Sequence, residues 1–187
     1  MPLIKGLPDV AHLTDLYALF PSNVAPLMAY TDGILRGEGE LSVGEREMIA
    51  TYTSGLNACT FCYGSHRVYA ELFGIDGALV DAMIADLDTA PVSAKLRPLL
   101  AYVRKLNQLP SKLVQADADA VYAVGWSEQG LYEAVQVNAL FNMMNRIIEG
   151  TGVNFDYATN PERHSAHGST PDEHAHSYGQ YGKQFEK

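Results

Sequence analysis

The chain has 187 residues, 47% hydrophobic and 19% charged, with a formal net charge of −9 and a pI near 5.0. That length holds one domain or a closely packed pair of halves. Without a stripe of Lys and Arg, the acidic balance argues against nucleic acid as a partner. No run of ~18 apolar residues suits a membrane span, and Met1-Pro2-Leu3-Ile4-Lys5 opens no apolar leader, so a cytoplasmic location is expected.

Four prolines (Pro2, Pro8, Pro21, Pro26) divide residues 1–40 into short pieces. Residues 10–20 and 24–35 have helical spacing, the second ending near Gly37. Ser42-Val43-Gly44-Glu45 fits a capping box and opens a helix running to about Ser54. Gly55 is expected at its C′ position. After a turn at Leu56-Asn57-Ala58, another helix should run over 59–73 and stop at Gly74. Shorter helices fit 76–86, 93–106 and 112–124, with Pro98 moving the start of the second toward Arg97. After Ser127 comes a long helix. Its apolar face carries Leu131, Val135, Leu140, Met144, Ile147 and Ile148, and Gly150 or Gly152 ends it. No strand alternation or Asn-Gly hairpin is present, so the fold class reads as all-α, with one domain over 1–157. Residues 158–187 are polar and hold four of the six histidines, His164, His167, His174 and His176. Their apolar anchors are few (Tyr178, Tyr181, Phe185). This tail is expected to be disordered or to lie as an arm on a partner subunit. Its histidine spacings match no fixed metal geometry.

The two cysteines of the chain, Cys59 and Cys62, form a Cys-x-x-Cys followed by His66. On a helix, offsets of 0, +3 and +7 share one face. Two sulfurs and an imidazole in one place suit a cycle between dithiol and disulfide. The first turn of a helix favours a thiolate, and His66 stands one turn beyond Cys62 as a base. Helix polarity favours Cys59 as nucleophile, and nearness to His66 favours Cys62. Glu47, one turn into the preceding helix, can reach across the hairpin to orient His66. Two other readings use the same residues. Buried thiols can pack as small hydrophobes, and two Cys with one His give three of the four ligands of a structural zinc site.

Glu47, twelve residues, Cys59-x-x-Cys62, three residues and His66 together resemble the AhpD-like alkylhydroperoxidase family of the carboxymuconolactone decarboxylase superfamily. Leu41-Ser42-Val43-Gly44-Glu45-Arg46-Glu47-Met48-Ile49 resembles its peroxidase-related branch, as does Phe141-Asn142-Met143-Met144-Asn145-Arg146-Ile147 before Gly150-Thr151-Gly152. The resemblance implies an all-α fold and a homo-oligomer, commonly a trimer or hexamer. It implies peroxidase chemistry on a small hydroperoxide, with Cys62 attacking, Cys59 resolving, and Glu47 with His66 relaying protons. No bound cofactor or metal is implied, only an external dithiol reductant. Phe61 is a departure, because some characterised members carry His directly before the second cysteine. Thiol–disulfide exchange on another substrate is the alternative activity, and a non-catalytic binding protein of the same fold is the alternative class.

Overall fold

A computed structural model describes residues 1–186. Helices α1 (Leu13–Leu19) and α2 (Val24–Arg36) precede the central hairpin of α3 (Val43–Leu56) and α4 (Thr60–Leu72). Then come α5 (Gly77–Ala85), α6 (Leu96–Gln108), α7 (Gln115–Ala123), the long α8 (Glu128–Thr151) and α9 (Ser177–Lys183). Among the described residues there is no strand, as the sequence pattern predicts.

Helix α3 is the axis of the molecule, packed against α4, α5, α6 and α8. It opens with the expected capping box. The Ser42 backbone N–H donates to Glu45 at 2.8 Å, and the Glu45 N–H donates to the Ser42 hydroxyl at 3.2 Å. Arg46 through Ser54 are all buried, which requires that the polar side chains there find partners inside. Thr51 and Ser54 donate to the carbonyls one turn back, Glu47 O and Ala50 O, each at 2.8 Å. Met48, Ile49 and Tyr52 join Leu99, Leu100, Val103, Val137 and Phe141 in the main core.

The end of α3 differs from expectation. Gly55 lies inside the helix, because a Cβ there would collide with Ile84 of α5. The helix stops in a Schellman turn: Cys59 N–H donates to Ser54 O and Ala58 N–H to Gly55 O, both at 3.0 Å. Ala58, at φ 55°, takes the left-handed position usually given to glycine. Elsewhere the stops are as read: Gly74 and Gly152 have positive φ, and Ser127 caps α8.

The tail also differs. Residues 158–186 fold back on their own chain. Tyr178, Tyr181 and Phe185 recur at helical spacing, and α9 sets them against α2 and α1. Tyr17 meets Phe185 edge-on at 5.7 Å between centroids. Asp32 of α2 accepts from the Gly179 N–H at 3.1 Å and from His176 at 2.9 Å. Gly64 in α4 permits the backbone at Tyr157–Ala158 to pass in close contact, which starts the tail on its course.

Candidate active site

The Schellman turn sets Cys59 at the N-cap of α4, with Cys62 one turn in. Both are free thiols, buried at 0% and 3% exposure. Cys62 lines a cavity of about 360 Å3, and Cys59 lies behind it, packed with Ile148 and Val153. Its hydrogen bond to Cys62, and then burial, push the Cys59 thiol well above the ordinary thiol range. Of the two sulfurs, Cys62 is the one that lines the cavity.

His66 lines the same cavity and joins Glu47 across the hairpin, His66 Nδ1 to Glu47 Oε2 at 2.6 Å. Glu47 is fully buried. Burial alone would raise its pKa, but Arg36 and then His66 outweigh it and hold the carboxyl down to about 2. An ionised carboxylate only accepts hydrogen bonds, so Nδ1 carries the ring hydrogen and Nε2 is the basic nitrogen. Two further donors reach the other oxygen of Glu47. Arg36 Nη1 lies 2.6 Å and the Tyr178 hydroxyl 2.9 Å from Oε1. The sequence reading placed neither at the site. Arg36 gave a weak signal, as a lone cation in the last turn of a mostly apolar helix. Tyr178 gave one through its spacing with Tyr181 and Phe185.

The turn before Cys59 is held by a chain of amides. Asn57 donates to Asn145 of α8 at 2.9 Å and accepts from Asn107 of α6 at 2.8 Å. Asn142 also donates to Asn107, at 2.6 Å, and Asn145 donates to Ser54 at 3.1 Å. This network fixes the C-terminal end of α3 from two sides, and with it the start of α4. Among the described residues Arg146 pairs with no carboxylate; it donates to Asn142 O at 2.6 Å.

Aromatic rings dominate the cavity wall. Phe61, Tyr69 and Phe141 come from the helices, Tyr157 follows α8, and Tyr178 and Tyr181 come from the tail. His12 stands edge-on to Phe61 at 5.2 Å and shares a hydrogen bond with Tyr157. An imidazole from the N-terminal segment thus lies beside the position where Phe61 departs from the family pattern. Tail residue His164 accepts or donates with Ser65 at 2.9 Å, and burial, then the charge of His66, push its pKa down to about 3. Among the described residues, no cluster of three or more His, Cys, Asp or Glu side chains is placed to hold a metal ion. No described helix is long and apolar enough to cross a membrane.

The helical hairpin with its Cys-x-x-Cys gives the chain an AhpD-like helical fold. No family model matches the sequence, and no curated protein does. Solved structures do. An uncharacterized peroxidase-related protein from a Silicibacter species is 26% identical with a TM-score of 0.70, covering 77% of this chain and 76% of that one. The alkylhydroperoxidase AhpD core of an uncharacterized peroxidase-related protein from Ralstonia eutropha is 24% identical, also at 0.70, over 74% of this chain and 73% of that one. A protein of unknown function from Agrobacterium tumefaciens is 17% identical at 0.66, over 74% and 94%. The resemblance to the AhpD-like family is borne out by these neighbours at the level of the fold.

Proposed function

We propose that the protein is a thiol peroxidase that reduces an organic hydroperoxide at Cys62. The observation that carries this reading is the placement of the sulfurs: Cys62 and His66 line one aromatic-walled cavity, and Cys59 is packed with Cys62 outside its lining. In the first step His66 Nε2 takes the Cys62 proton. The thiolate attacks the terminal oxygen of the hydroperoxide, forming an S–O bond as the O–O bond breaks. The alkoxide leaves as alcohol after taking the proton from His66. In the second step the Cys59 thiol condenses with the Cys62 sulfenic acid, forming the disulfide and releasing water. An external dithiol then returns two electrons and two protons. Glu47 does not accept a proton in this scheme. Held by Arg36, it keeps the imidazole in one tautomer and stabilises its charged form.

The likeness to the peroxidase-related proteins from Silicibacter and Ralstonia eutropha supports the same reading. Cavity size and lining narrow the substrate. A volume of about 360 Å3 falls among ligand cavities of ~300–1,000 Å3, far more than hydrogen peroxide fills. The lining carries no Lys or Arg, and Glu173 is its one acidic side chain, so an uncharged, bulky hydroperoxide is the best match. The 3% exposure of Cys62 favours a small substrate over a protein disulfide. Steady-state turnover with dithiothreitol as reductant tests the reading. Cumene hydroperoxide should be reduced with a kcat/KM at least tenfold above that for hydrogen peroxide, and Cys62→Ser should abolish both activities. Equal activity in Cys62→Ser, or no turnover by the wild type, contradicts it.

A further inference from the structure

The C-terminal segment does more than cover the cavity. Glu47 Oε1 receives Arg36 Nη1 and the Tyr178 hydroxyl, and Oε2 receives His66. The ring of Tyr178 lies nearly parallel to that of His66, at 20° with centroids 6.1 Å apart, and the Arg36 guanidinium stands 4.8 Å from its centre. One tail residue thus touches all three members of the buried charge cluster.

Arg36 makes the arrangement informative. Its Nε donates to His174 O at 2.9 Å, while Nη2, also buried, has no hydrogen-bond partner among the described residues. A guanidinium and a carboxylate in contact tend toward a two-pronged pair. Here only one prong is used, and the second carboxylate oxygen faces His66 instead. Burial, then the charge of Glu47, push the Tyr178 hydroxyl well above the ordinary phenol range, so it remains a donor.

We propose that Tyr178 is a positioning residue of the thiol site: its hydroxyl anchors Glu47 Oε1 and keeps the carboxylate turned toward His66, away from a two-pronged pair with Arg36. The inference rests on the peroxidase reading above, in which His66 is the base for Cys62. It also gives the C-terminal segment a chemical role, since an element 131 residues from Glu47 in sequence supplies the group. Without the hydroxyl, the carboxylate is free to turn onto Nη2, and His66 loses the partner that fixes its tautomer.

Tyr178→Phe is the test. It keeps the ring, its stacking and its contact with Arg36, and removes only the hydroxyl's contacts, 2.9 Å to Glu47 Oε1 and 3.3 Å to His66 Nδ1. Iodoacetamide alkylation of Cys62 is read at pH 7 in protein carrying Cys59→Ser, so that one thiol reports. Tyr178→Phe should slow alkylation by about three- to tenfold. The same substitution should have no further effect in a His66→Ala background, because the hydroxyl acts through the imidazole. An unchanged rate overturns the proposal, and so does an equal slowing in both backgrounds, which would mark a general structural effect. If His66→Ala alone leaves the rate unchanged, the base assignment falls and the proposal falls with it. If His66→Ala slows the reaction and Tyr178→Phe does not, only the role of Tyr178 is lost.

Discussion

Ala58 holds a backbone conformation that L-residues avoid, at φ 55°, one residue before the first cysteine. A left-handed non-glycine residue costs roughly 1–2 kcal/mol, and glycine would lose part of that gain through its freer unfolded chain. Ala58→Gly is therefore expected to stabilise the fold by about 0.5–1 kcal/mol, a rise of about 1–4 °C in thermal midpoint for a chain of this size. A lower midpoint in calorimetry would mean that the Ala58 methyl group contributes packing that outweighs its strain. At this scale the pairing of Glu47 with His66 was legible in the sequence, because both lie on helices joined by a short turn and helical offsets bring them face to face. Arg36 and Tyr178 were not legible as members of the cluster. They approach Glu47 through tertiary packing, which no local spacing encodes. Gly55 misled for a related reason: its missing side chain serves the contact with Ile84, not the end of a helix.

The helices themselves were readable wherever a cap or stop had local chemistry. Ser42, Asp76 and Ser127 all cap as their types suggest. The tail was harder, because its polar composition hides three aromatic anchors and because its partners, Asp32, Arg36 and Glu47, lie far back in the chain. Its docking has a pH signature through His164. The unfolded chain protonates this residue below its ordinary value of 6.5, and the folded chain only near 3, burial being the main cause. Protons therefore favour the unfolded state between those values. Stability falls as pH drops through that interval, by at most ~1.4 kcal/mol per pH unit. Glu47 acts lower down, its stabilisation lost only as pH falls from about 4.5 toward about 2. His164→Asn should flatten the decline of thermal midpoint between pH 6.5 and 4.5 relative to wild type. An equally steep decline in the variant would show that His164 is not held neutral in the fold.

Across the whole molecule, the site is assembled from five separated stretches: the N-terminal segment with His12, α2 with Arg36, the α3–α4 hairpin, α8 and the segment after it with Phe141 and Tyr157, and the tail with Tyr178 and His164. Val137 and Phe141 of α8 are at 0% and 1% exposure in the chain's own core. Tyr132 and Met143, at 57% and 41%, are the large hydrophobic side chains that α8 exposes. The all-α architecture was legible because helical period and capping recur along the chain, whereas the cavity was not, since its walls meet only after folding. Everything in the functional account depends on the division of labour between the two sulfurs. The most direct measurement is mass spectrometry after one equivalent of cumene hydroperoxide in the presence of dimedone, which captures sulfenic acids. Cys59→Ser is expected to carry the dimedone adduct on Cys62, and wild type to lose two hydrogens as an intramolecular disulfide with no adduct. An adduct on Cys59 in Cys62→Ser, with Cys62 unmodified in Cys59→Ser, would contradict the account.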